Sequence, residues 1–251
     1  MTSQAKNRLP LLQTVVELLC PMKCMFCGAF PGPEDSPATG FCTACLCGMA
    51  VLPEAHCRHC GRPFETRIES RHTCSRCLKN PPPYARALAA GLHQDTLRKA
   101  IHYFKYNGRT ELARPLAVFM TQHLERPFYP PETDLILPIP LHRRRLQERG
   151  FNQALLLARA LFKPWKKKIH HDLLQRIRWT EPQVNLKGQE RLKNVRQAFA
   201  APSPDKIKGR SVMLIDDVYT TGATVIECTR ALKKAGAAQV LVLTLARVGL
   251  N

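Results

Sequence analysis

Val212-Met213-Leu214-Ile215-Asp216-Asp217-Val218-Tyr219-Thr220-Thr221-Gly222-Ala223-Thr224 is the stretch that decides the fold. An apolar strand, predicted over 210–215, ends in two carboxylates; a hydroxyl-rich turn with one Gly then opens a helix predicted over 223–235. Backbone N–H groups of such a turn and helix start point at an anion, and the hydroxyls of Thr220, Thr221 and Thr224 add donors. Phosphate is expected there. Asp216 and Asp217 repel an anion, so they serve a neutral or cationic part of the ligand, such as a vicinal diol or a ligand-borne Mg²⁺. A sugar phosphate carries all of these parts. A plain helix N-cap needs one oxygen-bearing side chain, whereas Asp216, Asp217, Thr220, Thr221 and Thr224 crowd into one short segment. The turn matches neither G-x-x-x-x-G-K-[ST] nor G-x-G-x-x-G, which argues against a P-loop nucleotidase and a dinucleotide oxidoreductase.

Strand and helix patterns alternate on both sides of this segment. Residues 85–92 read as a weak strand, 96–106 and 110–123 as helices, 133–139 as a short apolar strand, 151–161 as a helix and 239–245 as a last strand. Such alternation predicts an α/β fold, a parallel sheet flanked by helices, with ligands at the carboxyl ends of its strands. Pro81-Pro82-Pro83 forms a stiff spacer, which predicts an amino-terminal region over 1–83 and a larger domain over 84–251. The 251 residues accommodate that division.

The amino-terminal region is built around sulfur. Of 11 cysteines, eight form four Cys-x-x-Cys pairs: Cys24 and Cys27, Cys42 and Cys45, Cys57 and Cys60, Cys74 and Cys77. Each unit repeats one spacing, and two such knuckles make a tetrahedral thiolate site. Two structural Zn²⁺ ions are expected. A redox motif would need a βαβ setting that the surrounding prolines and polar loops do not supply. Reduced, metal-binding thiols of odd number point to the cytoplasm rather than to a secreted disulfide scaffold. His56, His59, His72, Cys20 and Cys47 are expected to be exposed or capping residues, and Cys228 a small buried hydrophobe.

Lys and Arg number 38 against 19 acids, a formal +19. More than half of the excess falls within 142–196, including Arg143-Arg144-Arg145, Arg149, Lys166-Lys167-Lys168 and Arg191, with Trp165 and Trp179 interleaved. Phosphate contacts plus ring stacking on bases suit that pattern, so single-stranded DNA is an expected partner. A solvated basic face is the plainer alternative. No apolar run approaches the roughly 18–20 residues needed to cross a bilayer, and membrane insertion is not expected. Leu9–Cys20 reads as an amphipathic helix rather than a signal peptide.

The segment Asp216-Asp217-Val218-Tyr219-Thr220-Thr221-Gly222-Ala223-Thr224 resembles the phosphoribosyl pyrophosphate (PRPP) loop of type I phosphoribosyltransferases. With the cysteine-rich start, Phe104-Lys105-Tyr106, Pro138-Ile139-Pro140-Leu141 and Glu148-Arg149-Gly150-Phe151-Asn152-Gln153, the chain resembles the ComF/GntX family of competence and DNA-utilisation proteins. That resemblance implies a type I phosphoribosyltransferase-like sheet behind a double zinc ribbon. It places Tyr219 to Thr224 on the 5′-phosphate, Asp216 and Asp217 on the ribose hydroxyls and the reacting end, and Leu141, His142 and Arg143 in the pyrophosphate loop, with Mg²⁺ accompanying PRPP. Lys105, Arg149 and Arg191 are basic or lid candidates, with a mobile lid over 178–195. Displacement of pyrophosphate at C1′ by a nitrogen nucleophile is the implied reaction, with the zinc ribbons expected to stand where related enzymes carry a hood over the base. The implied role is DNA uptake in natural transformation or DNA utilisation, with DNA-uptake or helicase-type proteins as partners. The alternatives are a nucleobase phosphoribosyltransferase in salvage and a non-catalytic zinc-ribbon adaptor with a regulatory PRPP site.

Overall fold

The computed structural model describes residues 23–30, 32, 39–64, 72–123, 128, 132–180 and 188–249, without the side chains of 188, 189, 191 and 192. The helix expected over Leu9–Cys20, with Cys20, lies outside the described residues. Two short helices, α1 (Thr43–Cys47) and α2 (Ser75–Lys79), each carry a Cys-x-x-Cys pair from their N-cap inward. Strand β1 (Arg86–Leu92), helix α3 (Asp95–Tyr106), helix α4 (Ala113–Gln122) and strand β2 (Leu135–Pro138) follow. Then come α5 (Arg143–Arg149), α6 (Gln153–Leu161), the two-residue strand β3 (Gln175–Arg176), α7 (Gly188–Val195) and the equally short β4 (Phe199–Ala200). Strand β5 (Ser211–Tyr219), helix α8 (Ala223–Lys234) and strand β6 (Gln239–Arg247) complete the order.

Among the described residues the main sheet has the order β1-β6-β5-β2 with every pair parallel, as the alternating pattern predicts. Strands covered on both faces read as continuous apolar runs, and β6 is buried at every position after Gln239. Successive side chains still part to opposite faces. Met213, Ile215, Leu241, Leu243 and Leu245 join a core with residues of α3, α4 and α6, whereas Val212, Leu214, Val240 and Val242 join a second core with Cys228 and Leu232 of α8. Each cysteine unit belongs to a different face: Cys24, Cys42 and Cys45 to the first core, Cys57, Cys60, Cys74 and Cys77 to the second. Covering both faces supplies most of the stabilisation, at about 25 cal/mol per Å² of apolar surface removed from water.

Helix α3 shows how the elements serve both core and cleft. Leu97, Ala100, Ile101 and Phe104 recur at i, i+3, i+4 and i+7 and are buried, which leaves Arg98, Lys99, His102 and Lys105 on the other side. The helix expected over 110–123 begins with a single 3₁₀ turn at Thr110–Leu112. Strand β5 runs on past Ile215 because Val218 and Tyr219 still pair with Ala246 and Arg247, so the two aspartates stand within the strand end. Helix α5 escapes a periodicity reading because none of its residues is buried; β3 pairs antiparallel with β4 as a separate two-stranded ribbon. No helix among the described residues is long and apolar enough to cross a membrane.

Candidate functional site

The carboxyl ends of β2 and β5 lie side by side: Pro138 is opposite Ile215, and the Ile139 N–H donates to the Ile215 carbonyl at 2.9 Å. A cavity of about 860 Å³ opens there, lined by the β5 end and turn, by α3, by residues 139–142 with α5, and by Arg176, Trp179 and Thr180. Arg98, Lys99, Lys105, Arg145, Arg149 and Arg176 line it against two carboxylates, Asp216 and Asp217. A concave wall with that imbalance concentrates anionic ligands.

Asp217 is 3% exposed. Its Oδ1 accepts from Lys105 Nζ at 2.8 Å, whereas Oδ2 has no hydrogen-bond partner among the described residues. A buried acceptor left open costs ~1–3 kcal/mol, which a hydroxyl donor from a ligand would recover. Beside it, burial and then the Asp217 charge raise the Asp216 carboxyl to about 7, and Asp216 Oδ1 accepts the Asp217 N–H at 2.9 Å. Two adjacent carboxyls suit the hydroxyls of a diol or a divalent cation.

Gly222 turns the chain from β5 into α8 at φ 83°, and a Cβ there would strike the Tyr219 ring. Both facts require glycine. Thr220, Gly222, Ala223 and Thr224 line the cavity with Tyr219, but Thr221 does not: its Oγ1 accepts from the Ala223 N–H at 3.4 Å and its carbonyl accepts from Arg76 at 3.1 Å.

The segment from Glu148 to Gln153 acts as a bracket. Gly150, at φ 80°, ends α5. The Asn152 side chain caps α6 by accepting from Ala154 and Leu155 N–H at 2.9 and 3.2 Å, and donates to the Ile139 carbonyl at 3.0 Å. The corner holds Arg149 in the cavity wall, donating to Gln153 Oε1 at 2.6 Å and lying over the Tyr106 ring at 5.2 Å. Burial lowers the pKa of Arg149, and likewise that of Arg176, so each gains from a facing anion.

Of the pyrophosphate-loop candidates, Leu141 and His142 line the cavity; Arg143 is exposed and stands outside the lining, which Arg145 enters instead. On a helix, residues 145 and 149 share a face whereas 143 and 145 do not. Arg191 belongs to α7, but its side chain lies outside the described residues, as do 181–187 of the expected lid. Trp179 and Thr180, at the start of that lid, line the cavity, with Trp179 against His142 at 5.3 Å and under Arg144 at 5.7 Å. Among the described residues none before His93 lines it: the lining beyond the turn comes from α3 and from Arg176, Trp179 and Thr180, and the described part of the zinc ribbons does not enter it. Arg98, Lys99 and His102 enter the lining from the polar side of α3, and His93 from the end of β1, where no periodic pattern marks it.

The cysteines converge as their spacing requires. Cys24, Cys27, Cys42 and Cys45 form one cluster and Cys57, Cys60, Cys74 and Cys77 another, with the four sulfurs of each within 4.8 Å of one another. Cys27 and Cys42 sulfurs are 3.7 Å apart, Cys60 and Cys74 3.8 Å. A tetrahedron with Zn–S of about 2.3 Å has edges of about 3.8 Å, so the spacing fits zinc and exceeds a disulfide bond. In the second cluster the hydrogen bond from Cys60 lowers Cys57 to about 3, while burial raises Cys77 to about 12. Metal ligation requires the thiolate forms, so zinc affinity at these centres depends on pH. His56, expected to be exposed or capping, is instead buried, with Nδ1 at 2.7 Å from the Pro53 carbonyl. Cys228 is fully buried in the second core.

A parallel sheet ending in this acid pair and turn, with two four-cysteine centres on its faces, defines a phosphoribosyltransferase-type domain joined to a double zinc ribbon. Residues 158–249 match the phosphoribosyl transferase domain family, and residues 15–78 the double zinc ribbon domain family. A DNA utilization protein YhgH of Escherichia coli is 33% identical over 211 residues, covering 83% of this chain and 90% of its own. Competence protein F of Haemophilus influenzae is 31% identical with the same coverage, and competence protein ComFC of Bacillus subtilis 33% identical over 80% of this chain and 76% of its own. The chain belongs to the ComF family of competence and DNA-utilisation proteins. Among solved structures, an allosteric regulatory enzyme of purine biosynthesis aligns with 58% of this chain and 30% of its own, at 18% identity and a TM-score of 0.38.

Proposed function

We propose that this chain binds PRPP with Mg²⁺ in the cavity at the carboxyl end of the sheet, and that it also binds single-stranded DNA, acting in the cytoplasm in DNA uptake or utilisation alongside DNA-processing proteins. The observation that carries the reading is the pair Asp216 and Asp217 ending β5, followed by a glycine-hinged turn opening α8, inside a cavity with six Lys or Arg side chains. Asp216 and the open Oδ2 of Asp217 accept the ribose hydroxyls. Backbone N–H groups of the turn and the hydroxyls of Thr220 and Thr224 hold the 5′-phosphate. The turn at Leu141 and His142, with Arg145, Arg149 and Arg176, receives the diphosphate, and Lys105 and Arg149 temper the acid pair. Bound Mg²⁺ would supply further charge neutralisation to the diphosphate. In a transfer reaction the C1′–O bond to pyrophosphate breaks as a nitrogen–C1′ bond forms, and the arginines stabilise the departing diphosphate. The amino-terminal region over 1–83 would fold as a zinc-bound unit against the domain over 84–251.

A second reading, nucleobase transfer in salvage, is favoured by the rings of Tyr106, His142 and Trp179 in the same cavity, which offer stacking surface for a free base. Calorimetry with PRPP, Mg²⁺ and single-stranded DNA reads binding, and a pyrophosphate-release assay run with DNA or with free bases separates the readings. Pyrophosphate release that requires DNA supports the first, and release that requires a free base supports the second. PRPP binding without release in either case identifies a regulatory site, and absence of PRPP binding removes the assignment.

A further inference from the structure

The phosphate turn is braced from behind by the second cysteine centre. Arg247, the last residue of β6 and 6% exposed, lies opposite Tyr219 in the sheet register. Its Nη1 donates to the Cys60 carbonyl at 2.6 Å, its Nη2 stands 3.9 Å from the Cys60 sulfur, and its guanidinium covers the Tyr219 ring at 4.2 Å. The Tyr219 hydroxyl meets the Tyr84 hydroxyl at 2.6 Å, and the Tyr84 ring stacks on His59, between Cys57 and Cys60, at 5.6 Å. Arg76, between Cys74 and Cys77, donates to the Thr221 carbonyl at 3.1 Å. Both knuckles of this centre therefore reach residues 219–221. The first centre reaches elsewhere: Arg109 of the α3–α4 connection donates to the Met25 carbonyl at 2.7 Å, and Phe26 packs on Tyr103 at 5.7 Å.

We propose that Arg247 and Arg76 are positioning residues through which metal occupancy of the Cys57, Cys60, Cys74 and Cys77 centre sets the conformation of the phosphate turn, so that zinc at this centre and PRPP at the turn bind cooperatively; the ligand half rests on the function proposed above. Zinc fixes the carbonyl of Cys60 and the helix start that carries Arg76. These fix Tyr219 and Thr221, at the start of the turn whose backbone N–H groups meet the phosphate. Linkage is reciprocal, so a ligand that orders the turn must also hold the metal. The first centre, lacking these links, serves as an internal control.

The test measures zinc release from the full chain into a chromogenic chelator, with and without PRPP and Mg²⁺, beside amide exchange at 219–224. PRPP is expected to slow release of one of two zinc equivalents by roughly fivefold to tenfold, the effect of one or two hydrogen bonds. Arg76→Ala, at an exposed position compatible with folding, is expected to remove that protection and weaken PRPP binding by a similar factor while both metals stay bound. Arg247→Lys, which keeps the charge but not the fork to Cys60, is expected to act in the same direction. Stripping the second centre is expected to raise exchange at 219–224. If PRPP binds but neither zinc equivalent is retained longer, the coupling is overturned; if PRPP does not bind, the ligand reading fails, and unchanged exchange at 219–224 after stripping overturns the coupling independently.

Discussion

The two oxygens of Asp217 differ in character: one accepts from the Lys105 ammonium, and the other is buried without a hydrogen-bond partner among the described residues. Asp217→Ala removes the acceptor for a ligand hydroxyl and leaves Lys105 unpaired at 18% side-chain exposure. PRPP affinity is expected to fall by one to two orders of magnitude, one charge-assisted hydrogen bond at ~1.5–3 kcal/mol, as read by calorimetry; retained affinity would remove Asp217 from the site. Asp216 makes the site sensitive to pH. Its carboxyl is raised from 3.8 to about 7, so the folded chain holds a proton that the unfolded chain has lost across that window, and the group's contribution to stability falls as pH rises through it. A ligand that prefers the carboxylate binds more tightly once that proton is gone. PRPP affinity is therefore expected to rise between pH 6 and 8, roughly around the pKa so raised, and Asp216→Asn to flatten the profile. An unchanged profile in that variant would mean that another group titrates. Gly222→Ala places a Cβ against the Tyr219 ring at a left-handed backbone position, and a loss of about 1–2 kcal/mol or more is expected in denaturant unfolding.

At the scale of elements, α5, the Gly150 corner and α6 form one device: a helix without buried residues is held by its ends, and what it presents to the cavity is set by helical rotation. The two cysteine centres differ in a way that chelation should read. Cys27 is exposed, whereas Cys57, Cys60, Cys74 and Cys77 are all buried. Zinc release is expected in two phases, the faster from the first centre, and Cys27→Ser should remove the fast phase alone. A single phase in the native chain would mean that burial does not govern release.

At the scale of the whole molecule, two groups of basic side chains within 142–196 stand apart. Arg145, Arg149 and Arg176 turn into the cavity at the carboxyl end of β2 and β5. Lys163, Lys166 and Lys167 lie exposed on a 3₁₀ segment whose Lys168 donates to the Thr133 carbonyl, at the amino end of β2. On the proposed function the first group would meet the diphosphate and the second the longer polyanion. Replacing Lys163, Lys166 and Lys167 by Ala is expected to reduce the salt slope of single-stranded DNA binding by about 2, at about 0.7 per phosphate contact, and to leave PRPP affinity unchanged. A DNA affinity indifferent to these residues would place the DNA contacts elsewhere.

Much of this protein is legible in the chain because the signals are local. An apolar strand, two acids, a threonine turn and a helix start are contiguous, and four Cys-x-x-Cys pairs carry their ligand geometry in their spacing. The parallel α/β fold follows from alternating periods of 2 and 3.6 residues. Tertiary structure alone decided that each four-cysteine centre covers a different face of the sheet, that Lys105 pairs with Asp217, that Arg145 rather than Arg143 enters the cavity, and that Arg247 joins the Cys60 carbonyl to the Tyr219 ring. These are contacts between residues far apart in the chain, or the rotation of a helix with no apolar stripe. Neither is encoded in a local period, and both are settled only when sheet, helices and ribbons pack against one another.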